Sequence, residues 1–111
     1  GMFEKAERAY QKLVEISPRR GGGYAALVRL YLQANRKIAE ARMLAQKAVE
    51  LEPVAPYYFM LALACQRAGD RAGALVAIEG ALARDAGNPE YQRLREMMEK
   101  QPTDGARPFA P

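Results

Sequence analysis

The chain has 111 residues, of which half are apolar and 27% are charged. Its 17 lysines and arginines and 13 acidic residues give a net charge of +4. This length and composition fit one globular domain. Histidine is absent, and Cys65, Ser17 and Thr103 are the only residues of their kinds, which excludes a catalytic triad, a Cys/His zinc site and an intrachain disulfide. We therefore expect no enzyme activity, no cofactor and, since no apolar run reaches about 18 residues, no transmembrane helix.

Six helices are predicted, at residues 3–16, 23–34, 38–51, 56–68, 71–84 and 89–100. Pro18 and Pro53 end the first and third helices, because proline cannot continue the backbone hydrogen-bond ladder. Gly69 is typical of a tight turn after a helix, and Asp70 is typical of the N-cap of the next helix. No segment alternates apolar and polar residues as a strand does, so the predicted fold class is all-α.

The segment Arg19–Gly23 lies between the first two predicted helices and combines two arginines with three glycines. A glycine-rich loop before a helix can bind an anion. This one lacks the Gly-Lys-Ser/Thr of a nucleotide phosphate loop, and no strand precedes it. We expect a flexible turn between repeats.

A repeat of 33 to 35 residues runs through the chain. Its copies end in Lys12–Pro18, Lys47–Pro53 and Gly80–Ala86, and an aromatic-x2-Leu pattern recurs at Tyr24, Tyr58 and Tyr91. Small residues recur at i, i+4 and i+7 in the second helix of each pair, at Ala41, Ala45 and Ala48 and at Ala74, Ile78 and Ala81. A period near 34 in an all-helical chain indicates stacked repeats that bury these faces against one another.

On these residues the chain resembles the tetratricopeptide repeat (TPR) family. The family pattern is carried by Tyr24, Leu27, Tyr31, Ala41, Ala45 and Pro53 in one repeat, and by Tyr58, Leu61, Ala62, Cys65, Gly69, Asp70, Ala74, Ile78 and Ala81 in the next. Val28 and Arg95 replace the small residue of the pattern, Cys65 replaces an aromatic residue, and Ala86 replaces the closing proline. The resemblance implies a right-handed α-α superhelix of stacked antiparallel helix pairs.

The resemblance also divides the chain. Residues 3–18 match a half repeat with the second helix only, 19–53 and 54–88 match whole repeats, and 89–100 match a closing helix. The three prolines of residues 101–111 predict an extended tail. Gly1 before Met2 is typical of an expression remnant. We expect the chain to be a piece of a longer protein.

In the TPR family the first helices line a concave groove for a partner protein or peptide. Carried over to this sequence, that surface comprises Ala25, Arg29, Leu32, Gln33, Phe59, Leu63, Gln66, Arg67, Gln92, Glu96 and Lys100. Phe59 and Leu63 are large apolar residues off the predicted packing face, which favours a role in the groove. The alternative is that both pack against a neighbouring helix.

The predicted function is therefore a non-catalytic protein–protein interaction module. Two alternatives remain: a regulatory or substrate-docking appendage of an enzyme whose catalytic domain lies elsewhere, and a homo-oligomerisation module. Exposed ends of the array, with Tyr10, Leu13 and Val14 in the first helix, favour weak self-association. The basic residues alternate with glutamates along the helices, so we expect neither a nucleic-acid nor a membrane partner.

Two single residues carry further expectations. Cys65 shares a helical face with Tyr58 and Leu61, which predicts a buried and unreactive thiol. Phe109 lies between prolines in the tail. We expect it either to dock against Leu32, Phe59 or Leu63 or to contact a neighbouring molecule.

Overall fold

The computed structural model describes residues 1–100, and this part of the chain is all-helical. It forms six α-helices: α1 (Met2–Ile16), α2 (Gly21–Ala34), α3 (Ile38–Leu51), α4 (Ala55–Arg67), α5 (Arg71–Arg84) and α6 (Pro89–Lys100). No strand is present within this range, and every predicted helix end lies within two residues of the observed one. The all-α prediction is confirmed.

The turns between helices follow from the residues that form them. Asn35 and Lys37 both adopt left-handed backbone with φ 53°, and Gly69 has φ 80°; asparagine and glycine tolerate this region best. The Asp70 carboxylate accepts a hydrogen bond from the Gly73 N–H at 2.8 Å. Asp70 is thus the N-cap of α5, as predicted.

The three glycines form the first turn of α2, so the prediction of a flexible turn at these residues is wrong. A Cβ at Gly23 would lie 2.9 Å from Val14 Cγ2 and 3.0 Å from the Val14 backbone nitrogen. At Gly22 a Cβ would have nothing within 4 Å. Gly23 therefore permits α1 to approach α2 closely, which is a tertiary requirement that the local sequence does not reveal.

Alanines on α3 and α5 allow these second helices to pack closely against the first helices, α2 and α4. Ala41, Ala45, Ala48, Ala74, Ile78 and Ala81 are all 0% exposed. The facing positions of α2 and α4, among them Leu27, Tyr31, Leu61 and Cys65, are buried as well. The recurring positions of the repeat thus predicted the buried faces correctly.

Each helix packs against the next one in the sequence, and α2 packs also against α4. One apolar cluster extends from Leu27 in α2 to Met98 in α6. The Cα positions span 50 × 31 × 20 Å, so the molecule is elongated. Packing between sequence neighbours in an elongated array is consistent with a helical repeat.

Arginines connect helices that are distant in the sequence. Arg67 Nη1 donates to the Leu32 carbonyl at 2.9 Å, and Arg84 Nε donates to the Pro53 carbonyl at 2.9 Å. Arg71 donates from Nε to the Met98 carbonyl at 2.8 Å and from Nη2 to the Glu99 carbonyl at 3.4 Å. The carbonyls lie at or just beyond the ends of α2, α3 and α6, where backbone acceptors lack a partner within the helix.

None of the residues of α1 is buried: its apolar side chains pack against the core only in part, and polar contacts add to its attachment. Tyr31 Oη and Lys37 Nζ both donate to Glu7 Oε2, each at 2.6 Å. The Phe3 ring lies 6.0 Å from the Tyr31 ring, and the Arg36 guanidinium lies 3.8 Å above the Phe3 ring. These five residues, which we call the α1 cluster, hold α1 against the end of α2.

Candidate binding groove

A groove of about 430 Å³ lies between α2 and α4, and the first turn of α6 contributes to its wall. We call it the α2–α4 groove. Its lining residues are Arg29, Leu32, Gln33, Pro56, Phe59, Met60, Leu63, Arg67, Glu90 and Tyr91. Because α2 and α4 pack side by side, the residues at successive turns of each helix form the two walls.

The lining of the α2–α4 groove is largely apolar. Leu32 and Tyr91 are buried, while Phe59, Met60 and Leu63 are half-buried and keep part of their surface in the groove. The Phe59 and Tyr91 rings pack at 4.8 Å between centroids with an interplanar angle of 36°. Phe59 therefore lines the groove and also packs against a neighbouring helix, so the two roles that the sequence analysis gave as alternatives are combined in one residue.

Charged side chains occupy opposite ends of the α2–α4 groove. Glu90 lies in the first turn of α6, and Phe59 contacts Tyr91, so Glu90 is at the end where α4 begins. Arg67 lies in the last turn of α4, and its hydrogen bond to the Leu32 carbonyl fixes the guanidinium there. Arg29 is exposed on the α2 wall. The groove thus has an acidic end and a basic side.

The structure brings together six of the residues predicted for a groove: Arg29, Leu32, Gln33, Phe59, Leu63 and Arg67. The remaining five lie outside it. Gln66 is half-buried on α4, and Gln92, Glu96 and Lys100 are exposed on α6, where Gln92 Nε2 donates to the Ala86 carbonyl at 2.9 Å. Ala25 is 2% exposed, so its assignment to a surface is wrong; it packs inside the helix array.

Four lining residues were missed by the sequence analysis: Pro56, Met60, Glu90 and Tyr91. Pro56 and Met60 stand at i and i+4 of a stripe that has Phe59 at i+3 and Leu63 at i+7, so the helical period could have placed them on the same face. Tyr91 was assigned to packing alone. The approach of α6 to α4 that brings Tyr91 and Glu90 to the groove has no signal in the sequence.

A second, larger groove of about 780 Å³ lies between α3 and α5, and we call it the α3–α5 groove. Its floor includes Tyr58, Leu61 and Cys65 of α4. Met43 and Val76 line it while remaining 71% and 75% exposed. The repeat pattern predicts that the floor residues pack against neighbouring helices, and it contains no sign of the opening above them.

Cys65 is 5% exposed on the floor of the α3–α5 groove. Burial raises the pKa of its thiol, and the Asp70 carboxylate acts in the same direction. Asp70 is itself paired with Arg42, Nη1 to Oδ2 at 3.3 Å. The predicted burial of Cys65 is confirmed, and a raised pKa disfavours the nucleophilic thiolate.

The expected docking of Phe109 onto Leu32, Phe59 or Leu63 lies outside the described residues. Within residues 1–100, no group of three or more His, Cys, Asp or Glu side chains is placed to hold a metal ion. None of the six described helices is long and apolar enough to cross a membrane. Comparison with known proteins shows that the chain matches no family model and no curated protein.

Proposed function

We propose that this chain is a non-catalytic interaction module of the tetratricopeptide type, a right-handed superhelix of stacked helix pairs whose α2–α4 groove binds an apolar segment of a partner protein. The observation that carries the proposal is that six residues chosen from the repeat pattern line one groove with a largely apolar surface. A concave apolar site with a few charged groups is the usual form of a peptide-binding groove.

The assignment to a repeat module is supported by packing and period together. The residues at the recurring positions are buried, and the packing of each helix on its sequence neighbour is what stacked helix pairs require. The absence of histidine and the single cysteine and serine support a non-catalytic role.

The dimensions of the α2–α4 groove define the class of segment. The wall from Pro56 to Arg67 covers eleven residue steps, about 16 Å at 1.5 Å per residue. That length suits about five residues of extended chain or three turns of helix. Apolar side chains of the segment would contact Phe59, Met60 and Leu63, an acidic group would face Arg29, and a basic group would face Glu90.

A display library of random peptides tests this proposal. Peptides selected on the full chain are titrated against the Leu63→Gln variant, which places a polar side chain on the groove wall. The matched control is Val76→Gln, which makes the same kind of change at a position 75% exposed in the other groove. We expect Leu63→Gln to weaken binding at least about tenfold, equivalent to about 1.4 kcal/mol, and Val76→Gln to leave it unchanged.

Two results would contradict the proposal. One is that no peptide is enriched above a surface without the protein. The other is that enriched peptides bind both variants as tightly as the original chain, which would place their site elsewhere.

A further inference from the structure

The walls of the α2–α4 groove are helices, and this limits what a bound segment can bond to. All lining residues belong to α2, α4 or α6, and a helix satisfies its interior backbone groups internally. At the helix ends, the Leu32 carbonyl accepts from Arg67, and the N–H groups of Glu90 and Tyr91 donate to Asn88 Oδ1. In the part of the chain that the structure describes, the groove therefore offers no row of unpaired backbone groups of the kind that a strand edge offers.

The side chains of the groove do not replace such a row. Gln33 is the one amide among the lining residues, and neither serine, threonine nor asparagine is among them. An extended segment of about five residues carries about ten backbone donors and acceptors. Those that turn toward the apolar walls would lose water without gaining a partner, which costs free energy. A helix bonds its own backbone groups and inserts side chains only.

The two walls of the groove run in the same direction. A Cβ at Gly21 would lie against the Tyr57 ring, so the starts of α2 and α4 are side by side, and Arg67 bonds Leu32 where both helices end. Each wall helix also packs against its successor across a short connection, residues 35–37 or 68–70. Neighbours joined in this way are antiparallel. A helix that packs antiparallel to α2 or α4 therefore repeats a contact that the array already makes.

The charges of the groove favour the same direction for a bound helix. Arg29 and Arg67 lie toward the ends of the walls, whereas Glu90 lies where α4 begins. Within residues 1–100, neither Arg29 nor Glu90 forms an ion pair. Helices are stabilised by acidic residues in the first turn and basic residues in the last turn. Such a helix, placed antiparallel to the walls, brings its acidic turn to Arg29 and its basic turn to Glu90.

We propose that the α2–α4 groove binds an amphipathic helix of about three turns that runs antiparallel to α2 and α4. Apolar residues at i, i+3, i+4 and i+7 of this helix contact Phe59, Met60 and Leu63, while its acidic first turn faces Arg29 and its basic last turn faces Glu90. The inference rests on the proposed function, since it specifies the conformation and the chemistry of the segment bound at the same site.

The conformation is tested with display-selected peptides that lose affinity on Leu63→Gln. When one of these peptides is isotope-labelled and bound to the full chain, its Cα chemical shifts should be helical over about three turns. Glycine at a solvent-facing position in its middle should weaken binding about fivefold relative to alanine there, the equivalent of about 1 kcal/mol of helix propensity. An extended segment would bind equally well with either residue.

The direction is tested with spin labels on the same peptides. A label at the peptide N-terminus should broaden the amide resonance of Gln33 in α2, and a label at the C-terminus should broaden that of Gln92 in α6. Arg29→Ala should weaken binding about two- to fivefold. Arg93→Ala removes the same charge from an exposed position on α6 outside the groove lining, and it should leave the affinity unchanged.

The results separate this inference from the proposed function. Extended chemical shifts in a peptide that is sensitive to Leu63→Gln overturn the helix and leave the binding groove standing. Labels that broaden the opposite resonances overturn the antiparallel direction. If no selected peptide is sensitive to Leu63→Gln, the proposed function fails and this inference fails with it.

Discussion

The two ends of the helical array are held by different interactions. At one end, α1 has no buried residue: Phe3, Tyr10 and Val14 pack against the core only in part, and the attachment also depends on the α1 cluster, in which Tyr31 and Lys37 share one oxygen of Glu7. At the other end, α6 buries Met98 to 1% exposure and Leu94 to 5%. A polar cluster depends on geometry and protonation, whereas an apolar face depends mainly on filled volume. We therefore expect α1 to open locally while α6 unfolds with the core.

The largest expected effect concerns α6. Met98→Ala removes a side chain from the apolar cluster and should lower the free energy of unfolding by about 2–5 kcal/mol. The adjacent Met97 is 51% exposed, so Met97→Ala is a matched control with an expected effect within about 0.5 kcal/mol. Chemical denaturation of both variants measures the difference. Equal effects would mean that α6 is not part of the core.

The second prediction concerns the contact between α1 and α2. Gly23→Ala places a methyl group against Val14, including its backbone nitrogen, and should cost about 1–3 kcal/mol as α1 shifts outward. Gly22→Ala, one residue earlier in the same helical turn, meets nothing within 4 Å and should stabilise by about 0.5–1 kcal/mol. Thermal unfolding gives both values, and amide exchange shows whether the loss is confined to α1. Two variants of similar stability would contradict the close approach.

The smallest effect is local and depends on pH. Hydrogen bonds from Lys37 and Tyr31 lower the pKa of the Glu7 carboxyl below its ordinary value of 4.5. Ionised Glu7 therefore stabilises the attachment of α1 above about pH 4.5, and this stabilisation is lost as the pH falls through the lower pKa of the folded state. Burial and the Glu7 carboxylate raise the pKa of Tyr31, so its hydroxyl stays a donor over this range.

Amide exchange of α1 relative to α6 measures this dependence. We expect α1 exchange to rise relative to that of α6 as the sample is acidified below pH 4.5, once the intrinsic rates are corrected. Glu7→Gln should reduce the pH dependence of the ratio to the part that comes from Glu4, whose carboxyl lies 3.8 Å from Arg36 and whose pKa is also lowered. An unchanged ratio in the original chain would show that α1 is held by its apolar contacts alone.

Much of the fold could be predicted because the same helix-forming and packing pattern occurs in each copy of the repeat. Helix ends, the Asp70 cap and the buried alanines of α3 and α5 each follow from short-range patterns that recur at a fixed period. The prediction of a flexible turn at the glycines was wrong, because Gly23 is required by its close contact with Val14, which lies on another helix. Short-range rules carry no information about that contact.

The grooves were predictable to unequal degrees. The α2–α4 groove lies on helix faces that the repeat register identifies, so Leu32, Phe59 and Leu63 could be chosen in advance. The α3–α5 groove exists because α3 and α5 are far enough apart to leave the α4 residues between them uncovered. That distance between the helices is not encoded in the repeat pattern. Ala72 and Gly73 are too small to fill that space. Their small size could not predict the groove, because a side chain from another helix could equally have filled it.

The arginine bonds to helix-end carbonyls have a consequence for how the array unfolds. Arg67 and Arg84 each bind a carbonyl 31 to 35 residues earlier in the chain, so opening one repeat removes a backbone partner from the preceding one. Such coupling between neighbours makes an array of short repeats lose its structure in one cooperative step. Within residues 1–100 no arginine side chain bonds a carbonyl of α1. α1 can therefore fray without the rest, while the helices from α2 to α6 share a single melting transition.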